Sequence, residues 1–115
     1  MNISVLDAGT LGTDLDLSVL NGFGTVSEST SASDTAQRVK DAEVVIVNKV
    51  KLSESVLEGA AALKLICVAA TGFDNVDTAA CKRLGIAVCN VAGYSTDSVA
   101  QITVATVLHL ACNYG

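Results

Sequence analysis

Proline and tryptophan are absent from these 115 residues, and aromatic side chains make up only 3% of them. Every turn therefore has to come from Gly, Asn, Asp or Ser, and the core from Val, Ile, Leu and Ala. Basic side chains are scarce as well. Seven Lys and Arg face twelve Asp and Glu, giving a formal charge of −5 and a pI near 4.5, which disfavours a nucleic-acid partner. Histidine occurs once, at His109, and the four cysteines Cys67, Cys81, Cys89 and Cys112 form no Cys-x-x-Cys pair. That spacing signals neither a zinc site nor a dithiol redox centre, and all four are expected to be small buried hydrophobes. No apolar run approaches the roughly 20 residues of a membrane span. The opening MNISVLDAGT lacks the basic flank and apolar centre of a secretory signal, so a cytoplasmic location is expected.

Half of the residues are hydrophobic, enough for one domain with a real core. Short Val- and Ile-rich runs at 2–6, 25–27, 43–47, 64–69 and 86–89 alternate with helical patterns. Such alternation predicts a parallel sheet flanked by helices. A helix is expected over 14–20, another from Asp34 to about Asp41, and a third after Ser53, with Leu52 and Leu57 placed to form a hydrophobic staple. Asp77 is the expected cap of a helix over 78–84 that stops at Gly85. Residues 27–33 are polar enough for a loop. Right-handed crossovers predict the flavodoxin-like strand order 2-1-3-4-5, with the ligand rim at the carboxyl ends of the strands. The final pattern, 99–112, is apolar nearly all round, so this helix must be covered by its own sheet or by another chain.

On that rim the most informative segment is LICVAATGFDNVD, where a buried strand breaks at Thr71 and Gly72 before an Asp-initiated helix. Exposed N–H groups at such a corner favour an anion, and a small carboxylate fits. The alternative is a strand-end turn. Asp74, Asn75 and Asp77 read as the turn and cap that stiffen this corner rather than as acid–base groups. Lys49 is either charge complementarity for a carboxylate or a solvated surface lysine. Gly9 and Gly12 imitate half of a dinucleotide fingerprint, but Asp7 stands where its first glycine belongs and would oppose a pyrophosphate. His109 lies deep in the last helix, away from the rim, and is read as a helix-face or interface residue and not as a proton-transfer group. A phospho-receiver reading fails because no acidic residue follows the third strand and Cys89-Asn90 ends the fifth.

The segments VLDAGTLG, VVIVNKVKLSESVLE, LICVAATGFDNVD, LGIAVCN and VAGYSTDSVAQ, in this order and spacing, resemble the N-terminal part of NAD-dependent D-2-hydroxyacid dehydrogenases, most closely the glycerate dehydrogenase or hydroxypyruvate reductase branch. The resemblance implies a flavodoxin-like substrate domain over 1–95, interrupted in sequence, and an interdomain or dimerisation helix over 96–115. It places the Rossmann domain, the nucleotide-binding turn and the catalytic Arg, Glu and His after Gly115. It further implies that Thr71 and Gly72 hold the substrate carboxylate through their N–H groups, that Asn48 and Lys49 lie beside the substrate, and that Tyr94 and Ser95 enter the interdomain cleft. Ser95 would sit near substrate and Val99 near the nicotinamide; Ser95 also reads as a helix cap. Ile102 departs from the histidine common at that position. The expectations are an NAD(P)-dependent enzyme acting on a 2-hydroxy or 2-keto acid, with no catalytic residue, metal or cofactor of this chain's own, and therefore no turnover by the chain alone. The alternative is a non-catalytic, truncated module that oligomerises through 99–112.

Overall fold

A computed structural model of the chain describes residues 1–29 and 34–113. Five strands, β1 (Asn2–Val5), β2 (Thr25–Glu28), β3 (Val44–Val47), β4 (Leu65–Val68) and β5 (Ala87–Asn90), form one parallel sheet in the order 2-1-3-4-5. Among the described residues, α1 (Thr35–Lys40), α2 (Glu54–Glu58) and α3 (Thr78–Leu84) lie in βαβ crossovers, and α4 (Thr96–Cys112) follows β5. The flavodoxin-like expectation is met.

Strand periodicity divides the sheet into two unequal faces. Ser4, Val45, Ile66 and Val88 are register partners on one face, and Val5, Ile46, Cys67 and Cys89 on the other. The first face meets α1, α2 and α3 through Val39, Leu57, Ala80 and Cys81, with Val45, Val47, Ile66 and Val68 almost completely buried. Each such side chain contributes about 1.5–3 kcal/mol by leaving water. On the second face Ile3 and Val5 are buried beneath β1, whereas Ile46 and Cys67 are half-buried and Cys89 is exposed.

Local signals account for most boundaries. Asp77 accepts a hydrogen bond from Ala80 N at 2.9 Å, and Gly85 ends α3 with φ 72°, a left-handed conformation in which a side chain is disfavoured. Leu52 and Leu57 are both buried around the start of α2. Ser53 occupies the N-cap there, but its side chain makes no capping bond; its hydroxyl lies 3.1 Å from that of Ser55.

Three expectations need correction. The segment expected as a helix over 14–20 is instead a 3₁₀ turn at Leu17–Gly22, because Asp16 takes the Ser18 N–H two residues on and tightens the entry. Only Cys81 of the four cysteines is buried; Cys67 is intermediate, and Cys89 and Cys112 are exposed. The polar stretch 27–33 begins within β2 and a buried Ser29, and its remainder, 30–33, lies outside the described residues, as do 114–115 of the expected last segment. The last helix, α4, starts at Thr96, where the resemblance put it, and buries none of its described side chains. It does not fold back on the sheet.

Candidate functional site

The loops that follow β1, β3, β4 and β5 meet at the carboxyl ends of the strands, and a buried carboxylate joins the first two. Asp7, 3% exposed, accepts backbone N–H bonds from Asn48 at 2.9 Å, Lys49 at 2.5 Å and Val50 at 3.1 Å. An internal anion thus occupies the amides that follow β3. Asn48 spends its side-chain N–H groups on Thr10, at 2.9 Å to the hydroxyl and 3.3 Å to the carbonyl. Its side chain is a brace between loops, and Lys49 follows it on the same edge. Sequence reading singled out Asn48 and Lys49 but assigned Asp7 only a negative role, because the partners stand 41 to 43 residues away.

The corner after β4 is held differently. Asn75 donates to Val50 O at 2.9 Å, Leu52 N to Asn75 O at 2.8 Å, and Asp77 N to Leu52 O at 3.0 Å, so the loop after β3 and the start of α3 are stitched together. Asn75 and Asp77 are the turn and cap expected of them. On the other side the Thr71 hydroxyl donates to Val91 O at 3.0 Å, and Asn90 donates to Thr71 O at 2.7 Å. Thr71 and Gly72 are themselves exposed. Among the described residues, neither of their backbone N–H groups donates to a protein acceptor. Gly72 lies outside the left-handed region, so conformational freedom is not its reason for being glycine; a Cβ there would stand 3.3 Å from Asp74 Oδ1.

Asn48, Lys49, Ala70, Gly72, Asp74 and Asn75 enclose a cleft of about 280 Å³. It adjoins a larger one of about 500 Å³ that shares Asn48, Lys49 and Ala70 and is walled by Leu11, Leu17, Leu20, Ile46, Val91 and Tyr94. The smaller cleft falls just below the roughly 300–1,000 Å³ of ordinary ligand pockets, and the larger lies within that range. Ser95 stands at the N-cap of α4 without a side-chain capping bond; Thr96 instead bonds Gly93 O at 3.2 Å. Ser95 lines neither cleft, and Val99 is exposed one turn into the helix. His109 is exposed on α4. Thus Asn48, Lys49 and Gly72 are brought together at one cleft, with Thr71 beside it, and Ser95 and Val99 stand apart.

A parallel sheet with open loops at its carboxyl edge is shared by many proteins, and comparison with known ones narrows the class. The family model described as D-isomer specific 2-hydroxyacid dehydrogenase, catalytic domain, matches residues 9–110. The hydroxypyruvate reductase of Blautia hydrogenotrophica is 35% identical over 121 aligned positions, covering 100% of this chain and 38% of that protein. The glycerate dehydrogenase of Methylorubrum extorquens is 41% identical over 75 positions, covering 64% of this chain and 24% of that protein. Among solved structures, the D-lactate dehydrogenase of Aquifex aeolicus complexed with NAD and lactic acid superposes with a TM-score of 0.79 at 28% identity, over 96% of this chain and 33% of that one. The chain belongs to the D-2-hydroxyacid dehydrogenase family, a family of oxidoreductases. It spans well under half the length of these relatives.

Proposed function

We propose that this chain is the substrate-binding portion of an NAD(P)-dependent D-2-hydroxyacid dehydrogenase and that it grips the carboxylate of a small 2-hydroxy or 2-keto acid at Thr71 and Gly72. One observation carries the reading: two adjacent N–H groups with no acceptor among the described residues stand at a strand end, beside the cleft that Lys49 lines. Charge-assisted bonds of this kind contribute about 1.5–3 kcal/mol each, and the lysine offsets the negative charge of Asp74 on the same cleft. The names of the relatives, a hydroxypyruvate reductase, a glycerate dehydrogenase and a D-lactate dehydrogenase, support an acid with its hydroxyl or keto group next to the carboxylate. In this reading residues 1–95 bind and orient the acid, and 96–115 lead towards a dinucleotide-binding domain. Ser95 then approaches the substrate and Val99 the nicotinamide when the two domains close. NAD or NADP, when bound in the intact enzyme, supplies or accepts the hydride; the part of this chain is to fix the acid in place. Four free thiols fit the reducing cytoplasm.

Titration of the labelled chain with D-glycerate or hydroxypyruvate, followed by amide NMR, should move the Thr71 and Gly72 resonances. Gly72→Ala, which keeps the N–H but sets a Cβ 3.3 Å from Asp74 Oδ1, should keep the fold and weaken binding by about tenfold. Unmoved Thr71 and Gly72 signals at saturating acid would refute the carboxylate site. The chain alone should not turn over hydroxypyruvate with NADH, and measurable turnover would overturn that part of the proposal.

A second reading rests on α4, whose apolar side chains Ile102, Leu108 and Leu110 are 57–73% exposed. As an oligomerising module, the chain would cover this helix with a second copy. The two readings are compatible, since a substrate domain can also be a subunit of a dimer.

A further inference from the structure

Two thiols that are 22 residues apart in the chain meet on the less covered face of the sheet. Cys67 and Cys89 are register partners on β4 and β5, and their Sγ atoms lie 3.6 Å apart. Neighbouring strands run about 4.8 Å apart, within the roughly 4.4–6.8 Å Cα separation that a disulfide spans. β5 is the edge strand, so Cys89 is open to solvent while Cys67 sits one strand further in and is half-buried. Cys81 is buried among the helix-side core residues and Cys112 lies on the exposed α4, so neither competes for this contact.

We propose that Cys67 and Cys89 form a dithiol modification site that exchanges with low-molecular-weight disulfides such as glutathione disulfide and closes into an intrachain bridge. In the first step the Cys89 thiolate, its proton lost to water, attacks one sulfur of glutathione disulfide; a Cys89–glutathione bond forms, the glutathione S–S bond breaks, and one glutathione thiolate leaves. In the second the Cys67 thiolate attacks the Cys89 sulfur, forms the Cys67–Cys89 bond and expels the second glutathione thiolate. The two cysteines together lose two electrons and two protons, and one glutathione disulfide becomes two glutathiones.

The order follows from the surroundings. Burial, and then the neighbouring Cys89, push the Cys67 thiol up to about 11, so its thiolate is rare at neutral pH and the exposed partner reacts first. Closure should therefore accelerate as the pH rises and more of Cys67 becomes thiolate.

The test uses the full chain carrying Cys112→Ser, which prevents links between copies through α4. It is incubated with glutathione disulfide at about pH 8.5, near the ordinary thiol pKa, and followed by intact mass. A glutathione adduct should rise and then give way to a species two hydrogens lighter than the reduced chain. Cleavage at Lys and Arg combined with cleavage before Asp places Cys67, Cys81 and Cys89 on separate peptides, and the non-reduced map should join those of Cys67 and Cys89. Cys67→Ser should stop at the Cys89 adduct. The map of the parent chain decides the question even where that variant does not fold. A stable adduct that never closes, or a bridge that includes Cys81, would overturn the proposal.

Discussion

Three successive N–H groups, from Asn48 to Val50, converge on the carboxylate of Asp7, and this single side chain fixes the loop that presents Lys49. Removing it leaves donors that only water can satisfy, and Val50 is buried. Leaving a buried donor unpaired costs about 1–3 kcal/mol. Asp7→Ala should therefore lower the free energy of unfolding by roughly 3 kcal/mol, and Asp7→Asn, which keeps one acceptor oxygen, by about half as much. Urea unfolding followed by far-UV circular dichroism measures both, the chain having no tryptophan to report on its core. An Asp7→Ala protein within about 1 kcal/mol of the parent would show that water replaces the carboxylate. A strand end and the family resemblance pointed to Thr71 and Gly72, and turn and cap chemistry to Asn75 and Asp77, because these signals are local. The clamp on Asp7, the bracing of Asn48 by Thr10 and the meeting of Cys67 with Cys89 all depend on partners brought together only by the sheet register, which no spacing along the chain expresses.

At the scale of elements, the amino ends of the strands are tied by Glu43, which accepts from Asn2 N at 3.0 Å and from the Lys64 ammonium at 2.9 Å. The Lys64 hydrogen bond first, then that of Asn2, hold the Glu43 carboxyl below its ordinary 4.5. A carboxylate with a lowered folded pKa adds stability that is complete above the unfolded value and is lost as pH falls through the folded one. The thermal midpoint should accordingly decline below about pH 4.5, and Glu43→Gln should flatten that decline while leaving the midpoint above it only slightly reduced, as expected of a solvent-screened pair. An unchanged acid slope in the variant would remove Glu43 from the account. The same strands were legible in sequence because Val-Val-Ile-Val and Leu-Ile-Cys-Val are short apolar runs bounded by turn residues, and α3 because Asp77 and Gly85 mark both ends. The 3₁₀ turn at Leu17–Gly22 was not, since an acidic first turn and apolar spacing are common to both helix types and the Asp16–Ser18 bond decides between them.

For the whole molecule the informative quantity is shape. The radius of gyration is 17.1 Å, against about 13 Å for a compact chain of this length, and the long axis reaches 56 Å, because α4 stands clear of the sheet. Periodicity could say that this helix needs cover, but not from where. Val99, Ile102, Val104, Val107, Leu108 and Leu110 are each at least 56% exposed, and burying even half of that surface would supply several kcal/mol at about 25 cal/mol per Å². That is a sizeable part of the roughly 5–15 kcal/mol that holds a domain together. A second copy brings an identical apolar helix, and two such helices related by a twofold axis cover each other. Sedimentation equilibrium should therefore show a mass that rises with concentration towards twice that of the chain. Ile102→Glu combined with Leu108→Glu should hold the mass at one chain throughout, with the far-UV spectrum of the sheet and of α1 to α3 preserved. Because these changes lie outside the Thr71–Gly72 cleft, the same variant should still respond to glycerate at those amides, separating association through α4 from binding at the rim. A parent chain that stays monomeric at millimolar concentration would eliminate α4 as a self-association surface and leave the carboxylate proposal standing on its own test.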